Sequence, residues 1–591
     1  MKFSKLAEYL TLLESTSSRL KITEVLADLL GKAGEDEVAP ICYLSLGQLA
    51  PAYKGVEFNL AEKLMVRAVA RATGVGESLV REKYKKSGDL GDTVEKFKVQ
   101  SSKFKIVKNR KELEVREVYG RLSEIAGEAG EGSVERKIEK MALLLGELDP
   151  ASAKFVARIP LGKLRLGFSE LTILDALSWM ISGDKSLKGA IEAAFEVKAD
   201  IGEISKNIKD QIANSKDKKK DYAVGQIVKD LGRIKPILGV PISPSLCQRL
   251  PTPEEIIGKM GRVAVEPKYD GTRLQVHWGR GVKAAVFTRS LENVTHMFPD
   301  IVAAMEREVK AKEVILDGEG IGFDFKTDRF LPFQDTIKRK RKHEIEETLK
   351  AIPLKLFVFD VIYKDGQSLL EVPLRERRRI LERILGAGNK KILISPQMVT
   401  ESAAELRDYH HEQIARGLEG VVVKKLEAGY DPGRRGFTWV KFKTEQGKKG
   451  AGLADSLDCV VMGYNQGRGK RADFGVGGFL VGVRAGGFLV TISKIGTGLT
   501  DEQWRELKRR CDKVKVADKP KEYKVDKNMA PDVWCLPAIV TEIEADNVTR
   551  SPIHTAGLAL RFPRLVRFRD DKSVDQASSL AEAEKLYKMQ K

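Results

Sequence analysis

Apolar residues recur every three to four positions in the first part of the chain. Leu6, Tyr9, Leu10 and Leu13 make one such stripe, and Val134, Ile138, Met141, Ala142 and Leu145 make another. That spacing puts each set on one face of a helix, and no sustained period-two run interrupts it. An all-α region over 1–235 is expected. The charged run Asn214-Ser215-Lys216-Asp217-Lys218-Lys219-Lys220 predicts a loop near its end. The proline-rich stretch from Lys235 to Pro244 reads as a connector. The texture then changes. Leu274, Val276 and Trp278 alternate with Gln275 and His277, the period of a half-buried strand. Val314-Ile315-Leu316, Leu356 to Val361 and Val421-Val422-Val423 are apolar runs fit for buried strands. Arg375 to Leu385 and Glu405 to Leu418 have helical spacing. An α+β domain over 245–443 is expected. Beyond it, Cys459 to Tyr464, Gly478 to Val483 and Phe488 to Ile492 predict short strands between glycine-rich turns. That is the pattern of a small β-barrel over 444–591, closed by a polar helix or tail from Asp571.

Composition narrows the class. The 591 residues carry 103 Lys+Arg against 84 Asp+Glu, a net charge of +19, with 42% hydrophobic and 32% charged residues. Such a chain is neither disordered nor collagen-like. At ~150 residues per domain the length alone suggests about four domains. No apolar run approaches the ~20 residues that span a bilayer. Met1-Lys2-Phe3-Ser4-Lys5 lacks the apolar core of a secretory signal. A soluble intracellular protein, cytoplasmic or nucleoid-associated, is expected. The excess of base calls for a polyanionic partner, and nucleic acid is the commonest. The five cysteines (Cys42, Cys247, Cys459, Cys511, Cys535) share no CxxC spacing and read as reduced thiols. The histidines form no HExxH, so no structural metal is expected.

Chemistry concentrates in the middle region. In Val265-Glu266-Pro267-Lys268-Tyr269-Asp270-Gly271-Thr272-Arg273, a strand-like run enters a turn with a lysine between two acids. A lysine is nucleophilic only as the neutral amine, which desolvation or neighbouring cations favour. An isolated KxDG string arises often by chance in surface turns, so its weight comes from the stretches downstream of it. Leu316-Asp317-Gly318-Glu319 places a carboxylate at an expected strand end, and Glu419 precedes another strand. The run Gly318-Glu319-Gly320-Ile321-Gly322 has no helix after it and is rejected as a dinucleotide loop. Phe357-Val358-Phe359-Asp360 offers an aromatic that could stack on a base or merely fill the core. Phe437 to Lys443 alternates strictly, with Trp439, Lys441 and Lys443 on one face and Val440 and Phe442 on the other. Two lysines so placed could project into a pocket and neutralise phosphate.

Taken in order, these stretches resemble the nucleotidyltransferase motifs of ATP-dependent DNA ligases of the archaeal-eukaryotic type. The carrying residues are EPKYDGTR from Glu266, TRSLENVT from Thr288, ILDGEG from Ile315, LPFQDTIKRKRK from Leu331, FVFDVIY from Phe357, EGVVVKK from Glu419 and WVKFK from Trp439. SKIGTGLTDEQW from Ser493, PDVWCLPAIVTEI from Pro531 and LRFPRLVRFRDDK from Leu560 look like the family's oligonucleotide-binding (OB-fold) domain. AKFVARIPLGKLRLGFSELTILDAL from Ala153 resembles its helical DNA-binding domain, so the likeness spans nearly the whole chain and implies three domains.

The resemblance implies a three-step reaction on nicked duplex DNA, serving replication, repair and recombination. Lys268 would take AMP from ATP, pass it to the nick 5′-phosphate, and the 3′-hydroxyl would displace it. It implies nucleotide contacts from Glu266, Arg273, Arg289, Phe359, Arg435, Lys441 and Lys443. Glu319 and Glu419 would be Mg²⁺ ligands, with Mn²⁺ an acceptable substitute because hard oxygen donors serve both. Glu319 also counts among the nucleotide-site residues. Arg561 and Arg564 would reach ATP only when the last domain closes. Lys163, Arg165, Lys338 to Lys342 and the run Gly467-Arg468-Gly469-Lys470-Arg471 suit DNA-backbone contact, with a solvated face as the equal alternative for each run. Two stretches depart from the family pattern: Pro244-Ser245-Leu246-Cys247-Gln248 at the junction, and Gln100-Ser101-Ser102-Lys103-Phe104. The second resembles a sliding-clamp peptide without its paired aromatics. A clamp is therefore a second expected partner, and the protein is expected to act as a monomer. An RNA ligase or a capping guanylyltransferase shares the KxDG nucleophile. Glu266 and the long helical half count against capping, and the three-domain likeness counts against RNA ligation. A non-catalytic DNA clamp is disfavoured by the intact Lys268, Glu319, Glu419, Lys441 and Lys443.

Overall fold

The computed structural model describes residues 1–100, 112–162, 164–214, 220–324, 329–331, 336, 352–386, 388–433, 436–443, 456–467 and 474–589. They fall into two compact units, Met1–Lys443 and Thr444–Lys591.

The first 231 residues of the first unit are helical where described. The helix Phe3–Glu14 buries Phe3, Leu6, Ala7, Tyr9, Leu10 and Leu13, the stripe its spacing predicts. The helix Pro150–Arg158 starts where Asp149 accepts the Ser152 N–H at 3.0 Å and proline takes the first turn. The polar run around Ser215–Lys219 lies outside the described residues; one helix reaches Asn214 and another begins at Lys220. Arg165, a candidate for DNA contact, is exposed and also paired. Its Nη1 lies 2.9 Å from the buried Asp89 carboxylate, which also takes Arg158. A carboxylate so far from water requires cations around it, and Arg165 is one of them. Lys163, Lys338 to Lys342, Arg468, Lys470, Arg471 and Ser101 to Phe104 lie outside the described residues.

Two sheets come after the connector. In the first, β1 (Gln248–Arg249), β12 (Trp439–Phe442), β11 (Val421–Lys425), β2 (Val263–Pro267) and β10 (Met398–Thr400) lie side by side in that order. In the second the order is β4 (Val282–Thr288), β3 (Thr272–Gly279), β5 (Glu313–Asp324), β7 (Leu354–Lys364) and β8 (Gln367–Ser368). There β6 (Arg329–Phe330) pairs with β5, and β9 (Ile392–Ile394) runs parallel to β7. Each sheet buries one face under helices. Val440 and Phe442 join Val263, Val265, Val421 and Val423 against the helices Pro253–Met260 and Ala403–Ala415. Leu274, Leu316 and Val358 pack on the helices Pro299–Glu308 and Leu374–Ile384. The opposite faces meet through Ile315, Ile362, Tyr430 and Trp439, with Phe359, Val422 and Cys247 at the margin. The chemistry lies at this junction.

Two anchors seat the helical region against these sheets. The Tyr53 ring meets Phe287 edge-on at 6.5 Å, and the Ser243 N–H donates to the Glu196 carbonyl at 2.8 Å.

In the second unit, β13 (Leu457–Gln466) pairs with β14 (Val476–Ala485), β18 (Val533–Cys535) and β19 (Val540–Glu544). β14 continues to β15 (Phe488–Ile495), which meets β17 (Tyr523–Lys524); β16 (Lys515–Val516) borders β18. β22 (Arg564–Phe568) pairs with β19, and β20 (Asn547–Arg550) with β21 (Leu558–Arg561). The helix Asp501–Lys513 opens with a capping box of Thr500 and Gln503 and buries Trp504, Leu507 and Cys511. Of the polar helix or tail expected from Asp571, a helix forms, and one of its faces is apolar. The helix Leu580–Met589 buries Ala583 and Leu586 in the same core. All five cysteines are free thiols, buried except for the half-buried Cys247.

Candidate active site

β2 ends at Pro267, and the next residue is the lysine. The Lys268 N–H donates to the Gly420 carbonyl at 2.8 Å, and the Glu419 N–H donates to the Lys268 carbonyl at 3.2 Å. Backbone therefore clasps Lys268 to the residues that lead into β11. The Lys268 ammonium contacts Glu419 Oε2, and Lys443 Nζ lies 2.8 Å from the same oxygen. Burial opposes the Glu419 charge, but Lys268 and Lys443 outweigh it and hold the carboxyl below its ordinary range. On β12 the strict alternation does what its period requires: Val440 and Phe442 enter the helix-packed core, and Trp439 faces the junction. Lys441 is driven down by desolvation and by the cations Lys443, Lys268 and Arg289. The exposed Arg289, just past β4, is thus within electrostatic reach of the cluster.

Glu319 corrects the sequence expectation. It lies within the twelve-residue β5, opposite Arg273 on β3, and not at a strand end. The glycine-rich run continues the strand, with its register to β7 shifted between Asp317 and Gly318. Burial pushes the Glu319 carboxyl up to about 7, while Lys268 and Arg273 pull the other way. Among the described residues it makes no hydrogen bond or ion pair. Glu319 and Glu419 both act on Lys268, and carboxylate oxygens are the donors a hard divalent cation takes, usually with phosphate oxygens completing the shell. These residues fit such an ion, although the described residues hold no cluster of three His, Cys, Asp or Glu ligands.

Arg273 is gripped by Asp317, through Nε at 3.0 Å and Nη2 at 2.6 Å. Its guanidinium carbon sits 5.4 Å from the Phe359 ring centre and 5.6 Å from that of Trp439. Phe359 is half-buried and meets Trp439 edge-on at 5.8 Å, so it packs in the junction while one part stays open. Glu266 is buried with Lys424, whose Nζ lies 2.9 Å from Oε2 and donates to the Phe359 carbonyl at 3.1 Å. Gln397 Nε2 donates to Oε1 at 2.9 Å.

The structure thus gathers Lys268, Glu266, Arg273, Glu319, Phe359, Glu419, Lys441 and Lys443 where the two sheets face each other, with Arg289 at the rim. Arg435 lies outside the described residues. Arg561 and Arg564 belong to the second unit, flanking the turn between β21 and β22. There Arg564 Nη2 donates to Asp546 at 3.0 Å, and the Arg561 guanidinium lies 5.2 Å from the Phe562 ring centre. Sequence reasoning missed Asp317, Lys424, Gln397 and Tyr430 as partners. Asp317 and Lys424 sit inside the ordered motifs and could have been found; Gln397 and Tyr430 carry no such signal.

Comparison with known proteins identifies the family. Family models described as "ATP dependent DNA ligase domain", "DNA ligase N terminus" and "ATP dependent DNA ligase C terminal region" match residues 244–443, 2–178 and 472–572. The "Probable DNA ligase" of Dictyoglomus turgidum is 39% identical, covering 100% of this chain and 98% of its own length. "DNA ligase 2" of Thermofilum pendens is 37% identical over 100% of this chain and 98% of its own, and "DNA ligase" of Sulfolobus acidocaldarius 36% over 99% and 98%. The solved structure "Pmar-Lig_PreS3" shares the fold, with a TM-score of 0.56 at 16% identity over 95% of this chain and 99% of that one. Fold and matched regions together define a multidomain ATP-using ligase, with a helical N-terminal region and a β-rich C-terminal region. The chain belongs to the ATP-dependent DNA ligase family.

Proposed function

We propose that this chain seals nicks in duplex DNA through AMP carried on Lys268, in replication, repair and recombination. The observation that carries the reading is the Lys268–Glu419–Lys443 cluster, set between the two sheets beside Arg273 and Phe359. Lys268 Nζ attacks the α-phosphorus of ATP; the new P–N bond replaces the bond to pyrophosphate, which leaves. The nick 5′-phosphate then displaces Lys268 and takes AMP, and the 3′-hydroxyl displaces AMP to close the backbone. Attack requires Nζ without its proton, so the pairing with Glu419 must be given up. Lys443, already 2.8 Å from that oxygen, remains as the carboxylate's counter-charge. Lys441, Lys443 and Arg289 balance the phosphates, the kind of preorganised charge phosphoryl transfer depends on. Phe359 stacks on adenine, and the Glu266 carboxylate, fixed by Lys424 and Gln397, accepts from the adenine amino group. Arg273 and Arg435 contact the nucleotide. Glu319 and Glu419 would hold Mg²⁺, or Mn²⁺, which when bound neutralises charge on phosphoryl oxygens.

Around this core, residues 1–235 are read as the helical DNA-binding domain, 245–443 as the adenylation domain, and 444–591 as an OB-fold. Arg561 and Arg564 of that last domain act on the leaving pyrophosphate. The protein works as a monomer in the cytoplasm or at the nucleoid, and Gln100 to Phe104 docks a sliding clamp. Among the described residues no helix is long and apolar enough to cross a membrane.

The test is sealing of a 5′-labelled nick on a denaturing gel, with ATP and Mg²⁺. Sealing of the DNA nick with ATP is expected. Sealing confined to an RNA nick would favour the RNA-ligase reading, and a protein adduct formed with α-labelled GTP but not with α-labelled ATP would favour capping. Clamp docking fails if deletion of Gln100 to Phe104 leaves clamp-stimulated sealing unchanged.

A further inference from the structure

Tyr430 lies between the motif that ends at Lys425 and the one that begins at Trp439, in neither of them. It is only 2% exposed. Its hydroxyl donates to Asp317 Oδ2 at 2.7 Å, accepts the Ser245 N–H at 3.0 Å and faces Arg273 Nη2 at 3.4 Å. Asp317 in turn takes Nε and Nη2 of Arg273, and Arg273 Nη1 donates to the Ser245 carbonyl at 2.7 Å. Four residues close a ring in which every nitrogen of the guanidinium is fixed. A guanidinium has five N–H donors. The ring uses four of them, which leaves one Nη1 proton outside it.

Ser245 is where the connector from the helical half arrives. Upstream, Gln275 exchanges hydrogen bonds with Ile242 at 2.8 and 3.0 Å, and the Gly239 N–H donates to His277 Nδ1 at 3.2 Å. The connector is therefore fastened to β3, the strand that carries Arg273. Among the described residues, the bonds that hold Ser245 are those of the ring. Without the Tyr430 hydroxyl, a buried N–H of Ser245 and one oxygen of Asp317 lose a partner, which unsettles both residues that grip Arg273.

We infer that Tyr430 is a positioning residue for the nucleotide reaction, its hydroxyl setting where the Arg273 guanidinium meets the nucleotide. The inference rests on the proposed reading of the pocket. Tyr430→Phe removes one oxygen and keeps the ring, which meets Trp439 edge-on at 5.6 Å.

The experiment measures transfer of label from α-labelled ATP to the full-length protein as ATP concentration is varied with Mg²⁺ present. In Tyr430→Phe the half-saturating ATP concentration rises about tenfold, the size of one hydrogen bond to a charged network. The maximal rate stays within about a factor of two, since the groups that act in the transition state are untouched. In an Arg273→Lys background the same change adds less than about twofold, because coupled residues do not act additively. An unchanged ATP dependence in Tyr430→Phe overturns the inference. So does a tenfold effect that persists in full beside Arg273→Lys, or a loss of maximal rate that merely tracks a lower melting temperature. Absence of any adduct in the unaltered protein is a different failure, that of the pocket reading itself.

Discussion

Lys443 Nζ lies 2.8 Å from Glu419 Oε2, the oxygen that also takes the Lys268 ammonium. Two cations share one carboxylate oxygen, so either can leave without stranding the acid. Replacing Lys443 with Met removes the replacement partner. Lys268 is then tied to Glu419 alone, and the phosphates lose one neutralising charge. Adenylation of Lys443→Met is expected to slow by about 10²–10³-fold, the usual cost of one preorganised charge-stabilising group. Sealing of a nick supplied already adenylated should fall less. Single-turnover assays of the two steps check this, and an equal loss in both would count against the exchange of partners.

Gly420 joins Glu419 to β11 with a φ of +129°, and a Cβ there would overlap the Phe442 carbonyl oxygen and lie 3.1 Å from Lys443 Cα. Only glycine lets β11 and β12 approach this closely while Glu419 turns toward Lys268. Gly420→Ala is expected to melt lower and to lose adenylation well beyond what its stability explains, since the added methyl pushes directly on the backbone of Lys443. Melting curves and adduct formation, measured on the same preparation, separate the two effects.

His277 is buried on β3, with Nδ1 accepting from Gly239 and Nε2 paired to Gln275 at 2.8 Å. Burial lowers its pKa from the ordinary 6.5 to about 3. The unfolded chain therefore takes up a proton at a higher pH than the folded one. The stability that the neutral ring contributes is present in full above about pH 6.5 and falls as pH drops toward 3, by up to ~1.4 kcal/mol per pH unit. Over pH 7 to 5 the raised Glu319 carboxyl contributes a slope of the opposite sign, so the His277 slope is read from denaturant unfolding as the difference between the unaltered protein and His277→Gln. The same pH dependence in both proteins contradicts the assignment.

How much of this was legible in the sequence differs by element. The stripe of Leu6, Leu10 and Leu13 and the alternation from Trp439 to Lys443 gave helix and strand directly, because period alone decides which face is buried. Lys268, Glu419 and Lys443 were found as parts of ordered motifs; that they share one oxygen was not, since register between β2, β11 and β12 is a tertiary fact. The short apolar run before it sets Glu319 at a strand end, whereas Gly318, Gly320 and Gly322 continue β5 through a register shift. Arg165 is a surface cation, as its sequence suggests, but its pairing with the buried Asp89 carries no signal in the sequence. Tyr430 and Gln397 carry no local signal at all. Their roles arise from partners more than a hundred residues away in sequence.

The central claim is that Lys268 carries the nucleotide. The full-length protein should be incubated with α-labelled ATP and Mg²⁺, denatured and run on a gel, with Lys268→Arg alongside. The account predicts label on the unaltered protein, released by acid as expected of a P–N bond, and none on Lys268→Arg. Label that persists on Lys268→Arg, or an unlabelled protein that nevertheless seals nicks with ATP, would contradict it.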